Sequence, residues 1–265
     1  MFDSFDRPIN YLRISITDKC NLRCVYCMPA EGIPLLRHED MLSFEEIAEV
    51  TQTAVCMGVT KVRLTGGEPL VRRGVVSLVE MLARIDGIQD FAMTSNGILL
   101  GTLSHQLVAA GLQRVNVSLD TMDENRYAEI TRGGDIRSVI AGLVAARAAG
   151  LTPIKLNCVI QNSPDEPDAQ GVLAFGRQEG FEVRFIKRMN LAAGSFSIVI
   201  GGTGGDCAQC NRLRLTSNGL IRPCLFNDLG FSVRALGAEE AIRQAVATKP
   251  ECGDKSCSMF HTIGG

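Results

Sequence analysis

Cys20, Cys24 and Cys27 share one short loop at CxxxCxxC spacing. Thiolates so placed suit an iron–sulfur cluster, which is normally closed by four cysteines. Three leave one iron open for an exogenous ligand. A zinc knuckle is the competing reading, but zinc sites favour two CxxC-like pairs with a histidine or a fourth cysteine close by. Cys207, Cys210 and Cys224 form a second close group of three, for which a zinc-ribbon or rubredoxin-like fragment is the bland alternative. Arg212 and Arg214 alternate just after the second of these, Cys210. In a strand, residues i and i+2 point to one face, so both guanidinium groups would address one place, as an anionic substrate beside an open iron requires.

Other cations fall where strands are expected: Arg13, Lys61, Arg63, Lys155 and Arg184. Strands of a helix-covered parallel sheet normally read as apolar runs, so these charges need partners. Internal ion pairs are one answer, because buried charges are usually paired. Few carboxylates lie in the same strands, and a polyphosphate could instead satisfy several cations through charge-assisted hydrogen bonds.

The elements that must position these groups alternate in type. Strands are expected at Tyr11–Thr17, Lys61–Thr65, Phe91–Thr94, Arg114–Leu119, Pro153–Ile160 and Glu182–Met189. Helices are expected from the capping box at Ser43 and Glu46 towards Met57, and over Gly74–Ile85, Leu103–Ala110, Ser138–Ala149 and Asp168–Glu179. Repeated βα units call for parallel strands with right-handed crossovers, in a doubly wound sheet or a barrel. Leu191–Gly205 is glycine-rich and reads as a connector. Cys56 and Cys158 read as packed thiols.

Composition bounds the rest. The 265 residues are 46% hydrophobic with a formal net charge of −2, enough to bury a core and with no global basic field for nucleic acid. The N-terminus lacks the pattern of a signal peptide, and no apolar run suggests a membrane span. Ten cysteines without an export signal point to a reducing compartment, and so to the cytoplasm.

The first cysteine loop resembles the radical S-adenosylmethionine (SAM) superfamily. Together with Lys61-Val-Arg-Leu-Thr-Gly-Gly-Glu-Pro69, Cys207-Ala-Gln-Cys210-Asn-Arg-Leu-Arg-Leu-Thr216 and the terminal Gly264-Gly265, it is similar over nearly the whole chain to the GTP 3′,8-cyclase family of molybdenum cofactor biosynthesis. The resemblance implies an α/β fold: an incomplete (β/α)6 radical SAM barrel over 1–190, with a C-terminal auxiliary Fe–S extension over 191–265. It implies two [4Fe–4S] clusters, one on Cys20, Cys24 and Cys27, the other on Cys207, Cys210 and Cys224 with its open iron meeting guanine. SAM would be bound by Tyr26, Gly66, Gly67, Glu68, Thr94, Asn96, Ser118 and Met189. GTP would be held by Arg13, Lys61, Arg63, Lys155, Arg184, Arg212 and Arg214. Reductive cleavage of SAM would yield a deoxyadenosyl radical that takes the ribose C3′ hydrogen, and C3′ would then attack C8. A flavodoxin-like electron donor and a downstream cyclic pyranopterin monophosphate synthase are the implied partners; a homodimer is left open. The Gly-Gly tail is expected to insert near the active site.

The chain departs from this family in two places. Only Asn190–Asp206 separates the sixth strand from the CxxC, where the family has a longer segment. Cys252 and Cys257 are additional, and either one reaching the second triad would close its cluster. Such closure would favour a radical SAM maturase of a peptide or another small molecule. A non-catalytic Fe–S nucleotide sensor is the alternative of a different class.

Overall fold

The computed structural model describes residues 1–257; the terminal Gly264-Gly265 lies outside the described residues. In chain order the elements are β1 (Tyr11–Ser15), α1 (Phe44–Cys56), β2 (Lys61–Thr65), α2 (Val75–Ala83), β3 (Asp90–Ser95), α3 (Leu100–Ala109), β4 (Arg114–Ser118), α4 (Glu124–Thr131), α5 (Ile136–Ala149), β5 (Lys155–Ile160), α6 (Pro167–Glu179) and β6 (Glu182–Lys187). There follow β7 (Arg212–Leu215), β8 (Leu220–Arg222), β9 (Phe231–Ser232), α7 (Val233–Leu236) and α8 (Ala238–Ala247).

All the described strands form one sheet in the order β6-β5-β4-β3-β2-β1-β7-β8-β9. β1 to β7 pair in parallel, and β8 and β9 add antiparallel turns to the edge. The first six strands are the expected incomplete (β/α)6 barrel. Its C-terminal continuation is stitched to it, because β7 runs in register beside β1.

The strands alternate between apolar and polar residues. Leu12, Ile14, Val62, Leu64, Phe91, Met93, Val115, Val117 and Leu156 are buried in one continuous core, each contributing roughly 1.5–3 kcal/mol by its removal from water. Between them stand Tyr11, Arg13, Lys61, Arg63, Arg114, Asn116, Lys155 and Asn157, which line a cavity. A parallel sheet covered on both faces would be apolar throughout; here one face carries helices and the other a polar lumen. The cations in the strands are therefore a consequence of the period of two.

Local signals account for the helices. Ser43 and Glu46 close a reciprocal capping box that starts α1, and Ile47, Val50, Thr51 and Ala54 form its buried stripe. Asp135 caps the start of α5, and Gly150 ends it with φ +99°. Cys158 is buried as expected, but Cys56, the last residue of α1, lies off that helix's buried stripe, is exposed and is no packed thiol.

Candidate active site

The sheet register sets the cations in two rows. Lys61, Tyr11 and Arg212 lie side by side across β2, β1 and β7, and Arg63, Arg13 and Arg214 form the next row on the same face. With Lys155 and Arg184 they line a cavity of ≈ 420 Å³, within the range of small-molecule sites. Cys207, Cys210 and Cys224 line the same cavity, as does Met189. Ion pairing accounts for some of this charge: Lys155 pairs with Glu182, and Arg114 with Asp90 at 2.6 Å. It does not account for all of it. Buried Nε atoms of Arg63, Arg184 and Arg212 have no hydrogen-bond partner among the described residues, nor do Tyr11 Oη and Asn116 Nδ2. Burial, and then the neighbouring Arg212, pulls Arg214 down to about 10. Each buried unsatisfied donor costs about 1–3 kcal/mol, so the lumen fits a multiply charged anion.

The first triad is held by contacts from the segment after β4 and from the end of α4. Tyr26 Oη donates to Asp120 at 2.7 Å, and Arg132 donates to the carbonyls of Arg23 (2.8 Å) and Met28 (2.7 Å). The amides of Val25 and Arg23 bond to Ile130 and Thr131 at the end of α4. Burial, followed by the charge of Asp120, raises Cys24 to about 12, and burial, followed by Cys20, raises Cys27 to about 11. Cys20 and Cys27 both act on Cys24, and Cys20 acts on Cys27, so the three thiols lie close to one another. Among the described residues no group of three or more His, Cys, Asp or Glu converges on a single metal ion. Thiolates around a cubane bind different irons and need not meet at a point; three cysteine thiols in one short loop are the donor type that a cluster takes.

Gly66 and Gly67 lie against the backbone that leads into this loop. A Cβ on Gly66 would stand 2.6 Å from Thr17 O, and one on Gly67 2.4 Å from Lys19 O. Their lack of side chains thus serves the approach of two backbone segments. Glu68, fully buried, accepts from Asn96 N (2.6 Å), Ser95 Oγ (2.8 Å) and Leu70 N (3.1 Å), tying this loop to the end of β3. Asn96 also donates to Asn21 at 2.7 Å. Thr94 Oγ1 is buried with no hydrogen-bond partner among the described residues, which fits a polar ligand. Ser118 ends β4, beside Asn157 of β5.

Burial raises Glu68 to about 7, against the pull of its three donors. The folded chain therefore favours the protonated acid; that stability is complete below pH 4.5 and is lost as pH rises through 7. Glu68→Gln has no such loss. Its stability relative to wild type should grow by up to about 3 kcal/mol between pH 4.5 and 8. Urea melts of the cluster-free chain test this, and a pH-independent difference would refute it.

At the second triad Cys210 N bonds to Cys207 O at 3.2 Å, forming the CxxC turn. Burial alone would raise Cys210, but the Lys249 ammonium and Arg212 bring it below its ordinary value. Cys252 Sγ lies 3.4 Å from Cys207 Sγ, while the amide of Cys257 bonds to Asp228. Neither Cys252 nor Cys257 lines the cavity. The connector does: Phe196, Val199 and Gly202–Asp206 form part of its wall, and Ile200 bridges Phe185 on the outer edge of β6. Asp120, Arg132, Arg114, Asn116 and Lys249 were not singled out from the sequence. Arg114 and Asn116 alternate along β4 as Lys61 and Arg63 do along β2, a signal that was present; the others act from loops and ends of elements, where spacing carries no such signal.

The sequence profile of the radical SAM superfamily matches residues 14–174. A GTP 3′,8-cyclase of Moorella thermoacetica is 42% identical over 324 positions, covering 100% of both chains. One of Thermodesulfovibrio yellowstonii is 39% identical, again over 100% of both. Streptococcus suis SuiB bound to S-adenosylmethionine superposes with a TM-score of 0.62 at 15% identity, over 92% of this chain and 64% of that one. Methylornithine synthase (PylB) gives 0.57 at 19% identity, over 69% and 54%. These two likenesses speak for the fold. Full-length identity to the cyclases, together with two cysteine triads on one parallel barrel, establishes that the chain belongs to the GTP 3′,8-cyclase family of the radical SAM superfamily.

Proposed function

We infer that this chain converts GTP to 3′,8-cyclo-7,8-dihydro-GTP in molybdenum cofactor biosynthesis. One observation carries the reading: a cavity that joins three arginines whose buried Nε atoms lack a hydrogen-bond partner among the described residues, Arg63, Arg184 and Arg212, to a second set of three thiols. Cys20, Cys24 and Cys27 would hold one [4Fe–4S] cluster, and Cys207, Cys210 and Cys224 the other. When bound, the clusters and SAM supply the one-electron chemistry that opens a substrate C–H bond.

The protein's own part is positioning. Glu68, Asn96, Thr94, Ser118 and Gly66-Gly67 would cradle the SAM amino-acid group, with Tyr26 and Met189 towards its adenine. Arg63, Arg13 and Arg214 would take the triphosphate, joined by Lys61, Arg184 and Arg212, and Lys155 would act beside its Glu182 partner. Guanine would lie over the second triad, whose cysteines line the cavity; Cys252 is not among the lining residues, and its 3.4 Å approach to Cys207 Sγ is the observation that favours the maturase alternative. The connector walls one side of the lumen, which favours a reactive bond held away from water. Residues 1–190 would supply the SAM-cleaving barrel and 191–265 the auxiliary site.

The finer partners follow from the family: a flavodoxin-like electron donor and a cyclic pyranopterin monophosphate synthase downstream. No helix among the described residues is long and apolar enough to cross a membrane. Ten cysteines, none of them in a disulfide, favour the cytoplasm.

Anaerobic incubation of reconstituted protein with SAM, dithionite and GTP is the test. The product is an isomer of GTP, so chromatography must precede mass spectrometry. A GTP-dependent new peak of unchanged mass, with 5′-deoxyadenosine, is expected. SAM cleavage that leaves GTP intact would turn the reading towards a peptide or other small-molecule maturase.

A further inference from the structure

We propose that Arg7 and Lys249 act as a pair of positioning residues that clamp the backbone of the second triad in its cluster-binding shape. The proposal rests on the reading that Cys207, Cys210 and Cys224 hold a cluster. That site needs a scaffold, because Cys207 and Cys224 lie in loops and Cys210 stands two residues before β7. Loop sites loosen unless something outside them fixes the backbone.

Both cations are buried, Arg7 at 5% exposure and Lys249 at 3%. Arg7 donates to Cys207 O (2.6 Å), Glu251 O (2.8 Å) and Pro250 O (2.6 Å), and its Nε pairs with Asp3 at 2.7 Å. Lys249 donates to Arg212 O (2.8 Å) and Pro223 O (2.6 Å). Arg212 lies two residues after Cys210, and Pro223 lies one before Cys224. Of the five carbonyls, one belongs to Cys207 itself, one to the residue before Cys224 and one to the residue two after Cys210; the other two, of Pro250 and Glu251, lie just before Cys252. Burying a cation is costly unless its donors are satisfied, and charge-assisted bonds to carbonyls satisfy them.

The sequence separation shows how the clamp is assembled. Arg7 precedes the whole barrel, and Lys249 follows α8 near the chain's end. Between them they bind the CxxC turn, the start of β7 and the residue before Cys224, adding side-chain bonds from both ends of the chain to the β7–β8 pairing.

The test uses the full chain, reconstituted anaerobically, as wild type, Lys249→Met, Lys249→Arg and Arg7→Lys. Wild type should bind iron for two clusters with two distinct reduced signals in electron paramagnetic resonance. Lys249→Met should lose about half of the iron and the second signal, with the first signal and SAM binding retained. Lys249→Arg, which can donate to both carbonyls, should recover the second signal. Arg7→Lys, with too few donors for all its acceptors, should weaken the second signal alone. Full iron with both signals unchanged in Lys249→Met and Arg7→Lys would overturn the proposal. So would loss of both clusters together, which marks a general folding role. Wild type with a single cluster would instead refute the second-triad reading, a distinct outcome.

Discussion

Cys24→Ala is expected to abolish conversion of GTP while about half of the iron remains bound, since each triad serves a separate cluster. Cys24 is the central member of the loop: its carbonyl accepts from the amides of Cys27 (2.9 Å) and Met28 (3.1 Å) and so shapes the turn that presents all three thiols. Those backbone bonds survive the substitution. The loop also keeps its supports on Asp120 and Arg132, so the barrel should fold and the second triad should load. Two thiols remain for a cluster that wants at least three. Iron analysis and chromatography of product check both parts of the expectation. Wild-type product formation would show that the first triad is not the reductive centre, and loss of all iron would show that the two triads do not load independently.

Much of this was legible in the sequence for physical reasons. The βα rhythm announced itself because strands and helices have different hydrophobic periods, and every expected strand from β1 to β6 is present within a few residues. The two cysteine loops were legible because ligand spacing is local. α4 was missed: Glu124-Asn-Arg-Tyr-Ala-Glu-Ile-Thr131 is polar and short, with only Tyr127 and Thr131 buried, and so offers no apolar stripe. Its importance is positional, since its end carries the first cysteine loop. The expectation about carboxylates was partly mistaken for a related reason. Asp90 and Glu182 each stand at the first residue of a strand, where sequence alone gives no register, yet pairing of β3 with β4 and of β5 with β6 lets them neutralise Arg114 and Lys155. Arg7 and Lys249 were silent because a cation bonded to distant carbonyls leaves no motif.

That distinction between neutralised and unneutralised cations yields the sharpest expectation about the lumen. Arg63→Met should raise the stability of the ligand-free chain and lower its affinity for GTP. Arg63 is 8% exposed, with its guanidinium 5.5 Å from the Tyr11 ring centroid and no ion pair to a carboxylate among the described residues. Burial first, and then Arg114 and Arg184, hold its pKa below the ordinary value, so the folded chain bears a cost for keeping this charge. A methionine of similar length removes both desolvation and repulsion, and such replacements of buried charge stabilise by about 1–4 kcal/mol where packing is kept. In the complex the same guanidinium gains a phosphate oxygen, and its loss should weaken binding by about 1.5–3 kcal/mol, roughly 10- to 150-fold. Arg114→Met makes the contrast: its partner Asp90 would be left as a half-buried charge, so that variant should lose stability. Thermal melting of the four states, each variant with and without GTP, separates these signs. If Arg63→Met destabilised the ligand-free chain as Arg114→Met does, the row would be neutralised from within the protein, and the triphosphate would have to be sought elsewhere.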